Sequence, residues 1–134
     1  QGLADGTIDV IATDHAPHSD REKAVAFDQA ANGIIGLETA VSLGLTLVHA
    51  DVISITDLIA KMSTEPARIL GLSCGLQPGQ SADITLIDPN VVYNVDVNRF
   101  QSLSRNCPFD KMRLKGRPVL TMVDGQVVYE QEYE

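Results

Sequence analysis

Positive charge is scarce in this chain. Ten Lys and Arg residues stand against eighteen Asp and Glu residues among 134, which gives a formal net charge of −8. A surface that binds nucleic acid needs clustered Lys and Arg to neutralise phosphates. The densest cationic group, formed by Lys111, Arg113, Lys115 and Arg117, has the alternation of a solvated strand face. The composition therefore argues against nucleic acid as a partner.

Long apolar runs and targeting signals are missing as well. The longest apolar candidate, residues 40–60, is interrupted by one histidine and two aspartates, whereas a membrane span needs about 20 predominantly apolar residues. The amino terminus has no charged segment followed by an apolar one, so we expect no secretory signal. The two cysteines, Cys74 and Cys107, lack metal-ligand spacing and are interpreted as reduced thiols. We expect a cytoplasmic protein without a membrane span.

A short apolar segment near the amino terminus leads into the residues that can carry chemistry. Residues 8–12 are rich in β-branched side chains and predict a strand. Residues 13–18, with the sequence TDHAPH, follow at once and supply an acid and two imidazoles. In barrels of alternating strands and helices, the carboxyl ends of the strands carry the active site. This order predicts an enzyme whose site lies near the start of the chain.

Helical patterns follow. The apolar spacing of residues 37–49 predicts an amphipathic helix, with His49 at its carboxyl end. Ser54 is a predicted N-cap for a short helix through residue 62. Thr64 is predicted to cap the next helix, which carries a proline in its first turn and stops at Gly71.

The second half of the chain is predicted to be mostly β. Residues 83–88 and 91–97 have strand patterns, and residues 119–123 and 127–129 flank Asp124-Gly125, a strong hairpin signal. Only one barrel strand is predicted, whereas a closed barrel needs eight. We therefore expect this chain, which begins with Gln1, to be a piece of a larger protein.

Several blocks in order resemble the dihydroorotases of the amidohydrolase superfamily. The family's signature TDHAPH is matched at all six positions of residues 13–18. Further similar blocks are residues 33–39 (GIIGLET), 64–72 (TEPARILGL), 79–83 with Asp88, 106–109 (NCPF) and 115–118 (KGRP). Related cyclic amidases share the first residues of this signature, and their sequences usually differ from it after those residues.

The resemblance implies an α/β fold made of the carboxyl-terminal fragment of a (β/α)8 barrel and part of a small β domain. Residues 1–72 would supply the last barrel strand, the active-site loop and the closing helices, and residues 73–134 part of the composite β domain. The implied reaction is the reversible hydrolysis of L-dihydroorotate to N-carbamoyl-L-aspartate, in pyrimidine biosynthesis, with one or two zinc ions. The family's His-x-His and most other metal ligands lie in segments that this sequence does not contain, so the piece alone is expected to be inactive.

The resemblance also implies roles for individual residues. Asp14 would contact zinc, take a proton from the attacking hydroxide and pass it to the departing nitrogen. His18 would bond the substrate's carboxylate or ring oxygen, and the backbone of Asn32 and Gly33 would contact the ring. The family has proline where Asn32 stands. His15 is interpreted either as a residue that orients its neighbours or as a packed side chain.

Two alternatives remain open at this point. The parent protein could be a related cyclic amidase acting on hydantoin or allantoin. It could also be a non-catalytic dihydroorotase-like partner of aspartate transcarbamoylase. For the dihydroorotase we expect a homo-oligomer, and association with aspartate transcarbamoylase is left open.

Overall fold

The computed structural model describes residues 1–131 and shows an α/β chain with helices first and an antiparallel sheet second. The helices are α1 (Asp20–Lys23), α2 (Ala40–His49), α3 (Ile55–Ile59) and α4 (Glu65–Leu70), with a π-helix at Ala60–Thr64 and a 3-10 turn at Val97–Arg99. The strands are β1 (Ile84–Asn94), β2 (Arg113–Val123) and β3 (Gln126–Glu130). Within the described residues, no helix combines the length and apolar character that crossing a membrane requires.

The helix α2 lies at the centre of the described structure. It begins three residues later than predicted, and its buried side carries Leu45, which packs with Ile53 and Leu58. A Cβ atom at Gly44 would lie 2.6 Å from Leu58 Cδ1. The absence of a side chain at Gly44 therefore lets α2 and α3 approach closely, and full burial of each leucine contributes about 1.5–3 kcal/mol.

The prediction of two separate helices between residues 54 and 71 was wrong. Ser54 does cap α3, since its hydroxyl accepts a hydrogen bond from Asp57 N. Thr64, however, has helical φ and ψ and caps nothing. The helical path continues through the π-helix into α4, with Glu65 N donating to Ala60 O. A wider turn accommodates Pro66, whose ring would otherwise meet a carbonyl in the preceding turn.

The sheet has the order β1-β2-β3, and both pairs are antiparallel. The predicted strands 83–88 and 91–97 proved to be parts of one strand, β1, interrupted by a bulge between Asp88 and Val92. The Asp88 carboxylate holds this bulge by accepting hydrogen bonds from Asn90 N at 2.8 Å and Val91 N at 3.3 Å. The predicted hairpin at Asp124-Gly125 is confirmed.

Residues 8–12, predicted as a strand, pair with no other strand among residues 1–131, so that prediction was wrong for the described structure. A parallel strand is stable only between neighbours that take up its backbone groups. Here the π-helix takes up part of them: Ile11 N donates to Lys61 O at 3.0 Å, and Lys61 Nζ donates to Ile8 O at 2.6 Å.

The helices and the sheet are in direct contact. Ser42 Oγ and Tyr93 OH are 2.7 Å apart, and the side chain of Leu45 lies against Gly116 of β2. The division into residues 1–72 and 73–134 stays a prediction.

Gly116 is the position where we expect a small substitution to have the largest effect on stability. Its φ is +86°, and an added Cβ would lie 2.4 Å from Leu45 Cδ1 and 3.0 Å from Pro89 O. Gly116→Ala should therefore lower the free energy of unfolding by at least about 2 kcal/mol, measured by urea denaturation. Gly125→Ala is the control, because Gly125 has a similar φ of +76° with open space around it. Equal losses in the two variants would contradict the packing argument.

Candidate active site

Residues 13–18 form a loop whose backbone turns at Asp14. Asp14 has a φ of +42°, in the left-handed region that residues other than glycine rarely adopt. The residue is exposed, and its carboxylate forms no hydrogen bond or ion pair with the rest of the chain over residues 1–131. A capping or turn aspartate would bond nearby N–H groups. Asp14 therefore does not hold the loop together, and its carboxylate is available to a ligand.

His15 anchors the same loop to the start of the next segment. Its Nδ1 accepts hydrogen bonds from Gly36 N at 3.1 Å and from Leu37 N at 3.3 Å. In the neutral ring the proton must then be on Nε2, which lies 3.5 Å from Ser102 Oγ. Of the two interpretations of His15, the structure supports the one in which it orients its neighbours.

Glu38 and Ser102 continue the series of hydrogen bonds that begins at His15. Ser102 donates to Glu38 Oε1 twice, from Oγ at 2.6 Å and from N at 2.9 Å. Burial of the carboxylate acts to raise the pKa of Glu38, but the Ser102 bonds outweigh it and the net pKa lies below its ordinary value. Glu38 is therefore an anion near neutral pH, and it fixes the direction of the Ser102 hydroxyl.

His18 bridges the loop to Asn32. Its Nε2 lies 2.8 Å from Asn32 O, and because a carbonyl can only accept, the proton is on Nε2. Its Nδ1 faces Glu22 at 4.0 Å. Glu22 also accepts from Ser19 N and Oγ, so it closes the first turn of α1.

Gly33 lies against the loop more closely than any other residue type could. Its φ is +99°, as expected for a turn, and an added Cβ would lie 2.6 Å from the Cβ of Ala16. Lys23 holds this turn from outside, since its Nζ donates to Ala31 O at 2.7 Å and to Gly33 O at 2.9 Å. Lys23 and its neighbour Glu22 order this region through separate bonds.

The backbone groups predicted to contact a substrate differ in whether they already have a hydrogen-bond partner. The carbonyls of Asn32 and Gly33 are already engaged by His18 and Lys23. The N–H groups of Asn32 and Gly33 have no acceptor within the described part of the chain. The two N–H groups are therefore available to a ligand, and Asn32 O retains one lone pair.

A distant segment completes the site and was missed by the sequence interpretation. Ser104 Oγ donates to His18 O, and the side chain of Asn106 bonds to both the Thr13–His18 loop and Gly33. The block NCPF at residues 106–109 had been noted for its resemblance, yet contacts across nearly 90 residues cannot be read from a sequence.

The predicted residues do not all line one cavity. A cavity of about 390 Å³ is lined by Pro17, His18 and Ser19 of the loop, by Asp20, and by residues 103–105. Asp14 is not among its lining residues. A second cavity, of about 430 Å³, lies beside Glu38, Tyr93 and Arg117 and contains none of the predicted site residues.

The carboxylate of Asp14 is suited to be one ligand of a metal site. An exposed carboxylate without an internal partner suits zinc, which accepts carboxylate oxygens. Over residues 1–131, however, no three His, Cys, Asp or Glu side chains come together in a metal-binding group. Asp14 can therefore act only with ligands from outside the described residues.

Comparison with known proteins places the chain in a family. Residues 1–128 match the Amidohydrolase family. The chain belongs to this family. The resemblance to dihydroorotases is confirmed: it is 57% identical over 132 residues to a dihydroorotase of Desulforapulum autotrophicum and 47% identical over 133 residues to one of Syntrophus aciditrophicus. In each case the match covers 98% of this chain and 31% of the relative.

Solved structures of other amidohydrolases have the same fold. An L-hydantoinase from Arthrobacter aurescens superposes with a TM-score of 0.90 at 36% identity, over 98% of this chain and 31% of that structure. A D-hydantoinase from Thermus sp. gives a TM-score of 0.82 at 28% identity, over 96% of this chain and 30% of that structure. The chain thus spans about a third of the length of the amidohydrolases that it matches.

The Glu38–Ser102 interaction predicts a pH-dependent effect on stability. Because the pKa of Glu38 is lower in the folded state, its stabilisation is present above the unfolded-state pKa and is lost as pH falls through the folded-state pKa. Ser102→Ala should lower the free energy of unfolding by about 1–2 kcal/mol near pH 7. The difference from wild type should shrink once Glu38 is protonated in acid.

Urea denaturation across a pH series measures this effect. Ser63→Ala is the control, since Ser63 is exposed and its hydroxyl makes no hydrogen bond within the described residues. A Ser102→Ala loss that does not change with pH would rule out the link to Glu38.

Proposed function

We propose that this chain is part of a zinc-dependent dihydroorotase, which interconverts L-dihydroorotate and N-carbamoyl-L-aspartate in pyrimidine biosynthesis. The observation that carries the proposal is the TDHAPH loop with Asp14 held in a left-handed conformation and its carboxylate unused. The dihydroorotases at 47–57% identity support this substrate over other cyclic amides.

The proposed architecture is a (β/α)8 barrel with a composite β domain beside it. In such a barrel residues 8–12 would become a strand, because neighbouring strands would take up the backbone groups that have no strand partner in the described chain. Asp14 would then lie at the carboxyl end of that strand, where barrel enzymes carry their catalytic groups.

Asp14 is the proposed proton carrier. Bound zinc would supply a nucleophile at neutral pH by lowering the pKa of water to about 7. The Asp14 carboxylate would be one zinc ligand, would take the proton of the attacking water and would deliver it to the departing amide nitrogen. Proton transfer by a positioned side chain accelerates a reaction by roughly 10²–10⁴-fold.

The substrate would be held by His18 and by two backbone groups. The imidazole of His18 lines a cavity, and its Nδ1 is the ring nitrogen not already bonded to Asn32 O. Nδ1 would donate to a substrate oxygen in the imidazolium form, in which both ring nitrogens carry protons. The N–H groups of Asn32 and Gly33 point to recognition of acceptor oxygens on the pyrimidine ring. The family has proline at this position, and proline has no backbone N–H. Asn32 therefore provides a donor that proline would lack.

We further propose a cytoplasmic location and a homo-oligomeric parent protein. Association of the parent protein with aspartate transcarbamoylase is a further part of the proposal.

Replacement of Asp14 tests the proposed chemistry. In the full-length protein at equal zinc loading, Asp14→Ala should reduce dihydroorotate hydrolysis by roughly 10²-fold or more, because proton transfer to the leaving nitrogen is lost. Asp28→Asn is the matched control, an exposed loop carboxylate with no bond among residues 1–131. Retention of more than about a tenth of the activity by Asp14→Ala would refute the proton-carrier role.

The second candidate function is a hydantoinase, favoured by the 36% identical L-hydantoinase structure. The same preparation should be offered hydantoin and allantoin. Turnover of either compound with none of dihydroorotate would establish the alternative.

A further inference from the structure

The side chain of Asn106 bonds to both loops of the candidate site. Its Oδ1 accepts from His18 N at 3.3 Å, and its Nδ2 donates to Ala16 O at 2.9 Å and to Gly33 O at 3.4 Å. Asn106 is thus hydrogen-bonded to the chain on either side of Pro17 and to the turn that contacts that loop. No other side chain in residues 1–131 joins these two loops through three hydrogen bonds.

The partners of Asn106 fix the orientation of its amide. Two of them are carbonyl oxygens, which can only accept, and the third is an N–H group, which can only donate. The opposite amide orientation would place Oδ1 against the carbonyls of Ala16 and Gly33 and Nδ2 against the N–H of His18, so that none of the three bonds could form. The site therefore requires one donor and one acceptor on the same short side chain, which asparagine provides.

The bonds of Asn106 form a closed ring with those of His18. His18 bonds through its N–H to Asn106 and through its imidazole to Asn32 O, and Gly33 bonds back to Asn106. The backbone of Asn106 adds a bond, since Ile35 N donates to its carbonyl at 3.2 Å. A displacement of Asn106 would therefore change the separation between the His18 ring and the free N–H groups of residues 32 and 33.

Regular secondary structure does not hold these loops. Between them, one backbone bond runs from Ala16 N to Ile34 O at 2.9 Å, and the imidazoles of His15 and His18 add one bond each to Gly36 N and Asn32 O. Lys23 reaches only the second loop. We propose that Asn106 is a positioning residue that sets the spacing of the two substrate-binding loops, and so determines affinity for the cyclic substrate. This inference rests on the proposed function, in which His18 and the 32–33 backbone bind substrate.

Asn106→Asp in the full-length protein is the sharpest test. The carboxylate keeps an acceptor for His18 N but places a second oxygen against the carbonyls of Ala16 and Gly33. We expect KM for dihydroorotate to rise about tenfold or more, with kcat changed less than about threefold, because binding groups are displaced while Asp14 is not. Asn90→Asp is the matched control, since Asn90 is exposed and its side chain makes no bond in the described residues.

A double-mutant cycle with His18→Ala separates positioning from general stability. If Asn106 acts through His18, adding Asn106→Asp to His18→Ala should raise KM by less than about twofold more. If the KM increase of the double variant equals the product of the two single-variant increases, the proposal is overturned. A KM in Asn106→Asp equal to that of the wild type would overturn it as well.

Asn106→Gln, which keeps both polar atoms one methylene further out, should also raise KM. Failure of both Asn106 variants to fold would overturn the proposal, because a positioning residue must leave the fold intact.

Hydrogen exchange tests the inference without the proposed activity. The amides of Ala16, His18 and Ile35 should exchange about tenfold faster in Asn106→Asp than in Asn90→Asp. If wild-type protein turned over no dihydroorotate, the proposed function would fail while the exchange result still decided the role of Asn106. Unchanged exchange in a folded Asn106→Asp would overturn that role even in an active enzyme.

Discussion

The candidate site depends on polar side chains that take the place of secondary structure. Its two loops, residues 13–18 and 31–36, contain no helix or strand, so their backbone N–H and C=O groups need other partners. The side chains of His15, Lys23 and Asn106 supply some of those partners. The loops therefore have one arrangement, although neither has a regular conformation of its own.

This bonding also divides the reactive groups into those that are engaged and those that are available. The imidazoles of His15 and His18 are each bonded to backbone, and Glu38 is an anion bonded to Ser102. Asp14 is left with a strained backbone and an unused carboxylate. An acid that neighbouring bonds hold in place, but do not occupy, is suited to contact a metal ion and to move a proton.

The surrounding fold supports Glu38, which belongs to the hydrogen-bond network of the site. Thr39 separates Glu38 from the helix α2, which packs against α3 through Gly44 and Leu58 and against Gly116 of β2 through Leu45. The segment of residues 102–106 follows β1 in the chain, and side-chain hydrogen bonds of Ser102, Ser104 and Asn106 join it to Glu38 and to the first loop.

The sequence alone determined the features that depend on neighbours a few residues apart. The Ser54 cap, the Asp124-Gly125 hairpin, the positive φ at Gly33 and the reactive TDHAPH block all follow from local chemistry, and the block led to the family. Tertiary structure alone decided the rest. Residues 8–12 had a strand pattern but no strand partner among residues 1–131, and Thr64 lay within a continuous helical path. The residues that organise the site, Ser102 and Asn106, bond across 64 to 90 residues. Such contacts depend on how the chain packs, which no local pattern encodes.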